Sequence, residues 1–129
     1  MSIEIVLSDY LAQCGIADTI YTGFLPAQPD NAVCVVRTAG FPPDMKHQYK
    51  TTGIQVRTRS RDYPHAENTA LFVQNELHAL GVTTISGIHI TSIAAEQDIF
   101  FLGKDELDRH QFAQNFIVDY YAQLQHRPI

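Results

Sequence analysis

The chain has 129 residues, 45% of them hydrophobic and 18% charged, with a formal net charge of -5. That length fits one domain, 1–129, with an ordinary core, and the composition excludes wholesale disorder. The acidic balance argues against a dedicated nucleic-acid binder, which carries an excess of Lys and Arg. No apolar run approaches the roughly 18 residues of a bilayer span, and the N-terminus has none of the parts of a secretory signal. The expectation is a soluble protein made in a cytoplasm.

In chain order, "SIEIVLSDYLAQCG" (2–15) reads as an amphipathic helix. Ile3, Val6, Leu7, Tyr10, Leu11 and Cys14 fall on one face, Ser2 is placed to cap the start, and Gly15 to end it. "TIYTGFLPAQPDN" is a short strand and a Pro-rich turn, and "NAVCVVRT" a β-branched, buried strand halted by Gly40 and Pro42-Pro43. From Phe41 to Thr52 no period emerges, and a loop of that length in a small domain is often functional. "GIQVRTRSR" alternates: Ile54, Val56 and Thr58 point one way, Gln55, Arg57 and Arg59 the other. Asp62 sits at a helix N-cap, Pro64 in the first turn, and the helix runs to Gly81 with a stripe of Ala66, Ala70, Val73, Leu77 and Leu80.

The last third is β-rich. "GIHITSIAA" alternates, with Ile88, Ile90 and Ser92 opposed by His89, Thr91 and Ile93. "DIFFLG", the polar "KDELDRH" and "QFAQNFIVDYYAQL" form a hairpin from Ile99 to Tyr121, with Phe112, Gln114, Phe116, Val118 and Tyr120 on one face. The fold class is α+β: a mainly antiparallel sheet, with a mixed one as the open variant, and two helices packed on one face.

Chemistry is sparse. The six histidines are scattered, and none are spaced i, i+4 as helical metal ligands are. The two cysteines, Cys14 and Cys34, lie in apolar settings outside any CxxC and are expected buried and reduced. GxSxG, GxxxxGK[ST] and GxGxxG are all missing. Asp105, Glu106 and Asp108 crowd a polar turn, where solvation accounts for them. No catalytic residue, cofactor or metal ligand is assigned. What remains is a basic row, Arg57, Arg59 and Arg61, extendable by Arg37, Lys46 and Lys50. Phosphate contact needs only charge and reach, so the row reads either as an interface or solvated face or as a DNA-facing surface.

Three stretches in order, "DNAVCVVRTAGFPPD", "GIQVRTRSRDYPHAENTA" and "FFLGKDELDRHQFAQNFIVDYY", resemble a family of small proteins of long-tailed bacteriophages. That family is called minor capsid protein and is similar in organisation to tail terminators, the tail-completion proteins. The resemblance implies a structural, non-enzymatic virion protein of the tail or neck, made in the bacterial host. It would form a homo-oligomeric ring, typically a hexamer, which caps the tail tube and meets the head connector. DNA passing through the lumen would be touched non-specifically. The loop with Phe41, Lys46 and Lys50 and the turn with Lys104, Asp105 and Glu106 become candidate contact arms, and the arginine strand a lumen or subunit boundary. The rivals are a neck or head-completion ring, a small nucleic-acid-binding module using the arginine strand, and a small-molecule enzyme with an enclosed pocket.

Overall fold

The computed structural model describes residues 2–40, 42 and 49–121. In chain order the elements are α1 (Ile3–Gln13), β1 (Thr19–Thr22), β2 (Ala32–Gly40), β3 (Tyr49–Ser60), α2 (Tyr63–Leu77), β4 (Thr83–Ile85), β5 (Ile88–Ala95), β6 (Phe100–Lys104) and β7 (His110–Tyr121). The strands form one seven-stranded sheet in the order β1-β2-β3-β7-β5-β4, with β6 also on β7. β7 is its hub. β3 runs beside its whole length, while its other edge is shared by β5, beside Phe116–Tyr121, and β6, beside His110–Ala113. The sheet is mixed, because β1 and β2 are parallel and every other pair is antiparallel.

Alternation selects the inward face. Val33 and Val35 of β2, Ile54 and Val56 of β3, Ile90 and Ile93 of β5, and Phe116 and Val118 of β7 join Ile3, Val6, Leu7 and Leu11 of α1 and Val73 and Leu77 of α2 in one apolar cluster. Each such side chain withdrawn from water contributes about 1.5–3 kcal/mol. Two inward polar residues fix α2 instead of weakening the core. Thr58 Oγ1 donates to the Ala66 carbonyl at 2.9 Å, and Gln114 Nε2 to the Ala70 carbonyl at 2.7 Å. The small Ala66 and Ala70 let the helix backbone come within that reach, beside Phe112.

Several expectations are corrected. Tyr49–Thr52 belong to β3, extended by pairing with Tyr121, Tyr120, Asp119 and Val118, so the long loop is shorter than the sequence suggests. Phe41, Lys46 and the rest of that loop, 43–48, lie outside the described residues, as does the tail 122–129. α2 ends at Leu77, before Gly81: His78 is extended and Ala79 takes a positive φ of 58°. There the Ala79 amide donates to the Ile93 carbonyl at 2.8 Å, and His78 Nδ1 accepts from the Ala95 amide at 2.9 Å, so pairing with β5 competes with the last helical turn. In β5 the register slips between Ile90 and Ser92, which sends Ile93 inward and Ser92 outward. That bulge breaks the simple alternation. Ser2 and Asp62 occupy the N-cap positions, but neither side chain bonds the helix end.

Candidate functional site

The arginine row does not stay together. Arg57 points to solvent and donates from Nε to Gln55 Oε1 at 2.7 Å. Arg59, expected beside it on an exposed face, is only 3% exposed. Residues 27–30 lie across that end of β3, and Arg59 donates to the Pro29 and Asp30 carbonyls at 2.6 and 3.4 Å. Burial, with the neighbouring Arg109 guanidinium, pushes Arg59 below its ordinary pKa, yet a guanidinium remains charged in proteins. Arg61 is exposed and paired to Asp30 at 2.7 Å. Arg37 is paired to Glu4 of α1 at 3.1 Å. Among the described arginines of the row, Arg57 alone is both exposed and without a carboxylate partner, since Arg59 is buried on backbone carbonyls, so the row offers little to a phosphate backbone.

Arg109 completes the clasp and was missed in the sequence, where it sat in a segment read as a polar connection. It is 5% exposed, donates from Nε to Asp105 Oδ2 at 2.8 Å, reaches the Ala27 carbonyl and lies 3.5 Å from Asp30 Oδ1. Asp105 therefore organises the β6–β7 turn and is no free contact residue. Its carboxylate also accepts from the Leu107 and Arg109 amides, both at 3.0 Å. Burial opposes its ionisation, but those amides and the guanidinium prevail and hold its pKa below the usual value. The i, i+4 spacing of Asp105 and Arg109 was the available signal. Lys104, Glu106 and Lys50 are exposed.

Four of the nine exposed large apolar side chains among the described residues lie near one edge. On β6, Phe101 is 47% and Leu102 45% exposed, with Leu107 and Tyr63 close to that. Tyr63, Phe101 and Phe112 stack with ring centroids 5.1–5.5 Å apart. Beyond β1, across the sheet, Phe24 is also exposed and touches Tyr21.

Two open clefts, of about 480 and 240 Å³, share His65. His65 Nε2 contacts both carboxylate oxygens of Asp18 at 2.9 and 3.0 Å, tying α2 to the segment before β1. Ser60 in the larger cleft is occupied structurally: its hydroxyl donates to Asn31 Oδ1 at 2.6 Å and accepts from the Asp62 amide. Among the described residues no three His, Cys, Asp or Glu side chains gather as metal ligands do. Cys34 is buried and Cys14 half-buried, both free thiols, and burial raises both pKa values.

The family model described as "Bacteriophage tail terminator protein" matches residues 10–122, and the chain belongs to that family. The protein is accordingly a structural virion component of the tail or neck, not an enzyme. No curated protein matches the sequence. Among solved structures, the chain is similar to one from the virion of a native gene transfer agent particle, 10% identical over 92% of this chain and 96% of that one, with a TM-score of 0.64. A second is 17% identical over 98% of this chain and 92% of its own, with a TM-score of 0.59. At these identities the likeness is one of fold.

Proposed function

We propose that this chain, acting as one domain over 1–129, is the tail terminator of a long-tailed particle. Copies of it close into a ring, a hexamer, that caps the finished tail tube, stops its growth and presents a surface to the head connector. The observation that carries the reading is the match to the tail terminator family over 10–122. The single apolar cluster shared by α1 and α2 supports packing of both helices on one face of the sheet. Exposed apolar strand edges support assembly, since uncovered edges invite association. Among the described residues of the basic row, Arg57 and Lys50 are the exposed cations without a carboxylate partner, and they would face a lumen wall or subunit boundary. A mild lining suits DNA in transit better than a binding site does, because strong phosphate contacts would hold it.

Deleting the coding sequence in a producing cell and imaging the particles tests this reading. Headless tails of uncontrolled length, with heads accumulating separately, are expected. Tails of uniform length joined to heads contradict termination, and finished tails with heads that leak DNA indicate head completion instead.

A further inference from the structure

At the end of the sheet where β6 lies, the strands run β1-β2-β3-β7-β6, and its two outermost members have no partner on their outer side among the described residues. Following the register across gives three rows. Tyr21, Cys34, Arg57, Ala113 and Phe100 make one; Ile20, Val33, Thr58, Phe112 and Phe101 the next; Thr19, Ala32, Arg59, Gln111 and Gly103 the third. The sense of the strands follows from the same pairings. β1 runs with β2 and β7, while β3 and β6 run opposite to them. A second copy continuing the rows therefore meets β6 with its own β1 antiparallel, the more stable pairing per residue.

We propose that the ring is closed this way: β6 of one subunit adds to β1 of the next, so that sheets run on from copy to copy. This rests on the ring reading above and names the surfaces that make it. The lengths match, four residues in β1 and five in β6. Straight continuation sets Phe100 beside the next copy's Tyr21 and Phe101 beside its Ile20. Lys104, exposed at the end of β6, falls at the register position of the next copy's Asp18, which precedes β1 and whose carboxylate is 7% exposed and held by His65. Leu102, in the β6 register slip, and Phe24, past the end of β1, are the exposed apolar residues flanking the joint. Because the two edges differ, the contact is head-to-tail, the kind that closes rings.

The test uses the full chain and two exposed-site variants, Leu102→Asp on the β6 edge and Phe24→Asp on the β1 edge, measured by native mass spectrometry alone, mixed, and with purified tail tubes. Each variant alone is expected to stay monomeric with an unchanged circular dichroism spectrum. The equimolar mixture, having one intact edge of each kind, is expected to stop at a heterodimer. Lys104→Glu, a second β6-edge variant, should raise the concentration needed for assembly at least tenfold. Rings from both aspartate variants would overturn the edge pairing and leave the ring reading standing. Variants that assemble normally but no longer bind tubes would assign the β6 edge to the tube protein and overturn it too. A wild-type chain that remains monomeric even on tubes would remove the ring reading and this joint with it.

Discussion

Two arginines two residues apart on one strand do different work here. Arg57 is solvated, and Arg57→Ala should change stability by no more than about 0.5 kcal/mol. Arg59 holds two backbone carbonyls of the 27–30 segment out of water, and Arg59→Ala should cost about 3 kcal/mol by stripping those acceptors of a charged donor. Urea denaturation of the two variants checks the contrast, and equal losses would contradict it. Strict alternation gave both residues one exposed face; a distant stretch of chain over one end of the strand breaks that symmetry, and no local pattern announces it. Asp105 provides a further check at this scale. Its folded pKa is depressed, so its contribution is fully present above the unfolded value near 4 and is lost as pH falls through the lower folded value. Between pH 5 and pH 2, Asp105→Asn should show a shallower loss of stability than the wild type. An unchanged acid slope would remove the carboxylate from that role.

At the scale of elements, what was legible followed from periodicity. α1, the buried β2, the β3 alternation through Val56 and the β6–β7 hairpin were all readable, because each is selected by its own apolar spacing. Val56 is wholly buried in the middle of the sheet. Val56→Asp should cost several kcal/mol, ~4 or more, through an unpaired buried charge, and an unchanged melting temperature would place it on the wrong face. The elements misjudged are those settled by a partner. Tyr49–Thr52 are held extended by β7. The end of α2 yields to bonds from β5, and β5 bulges between Ile90 and Ser92. Gly53, read as strand from the sequence, is likewise constrained by a neighbour. A Cβ there would sit 2.5 Å from Thr38 Oγ1 and 3.3 Å from the Ala39 amide nitrogen, beside a register slip in β2. The hydroxyl can turn away but the amide cannot, so Gly53→Ala should cost about 1–3 kcal/mol in thermal denaturation; a neutral effect would show that the β2 backbone yields.

At the scale of the molecule, ordinary composition and missing catalytic motifs pointed away from an enzyme, and the order of three short motifs pointed to tail proteins. The candidate surface was less legible than the fold. Of the residues singled out, Arg59 and Asp105 are internal fasteners, whereas the exposed β6 edge, Leu102 above all, attracted no notice as a surface. An apolar strand reads as core until its neighbours are known, and β6 is an edge only because β5 claims the other half of β7. As proposed, the chain works as a closed ring at the end of a tail tube. Native mass spectrometry of the full chain over a concentration series, alone and with purified tail tubes, decides it. One discrete closed oligomer of fixed copy number, bound at one end of the tube, is the predicted result; monomers at every concentration, with no attachment to tubes, would contradict it.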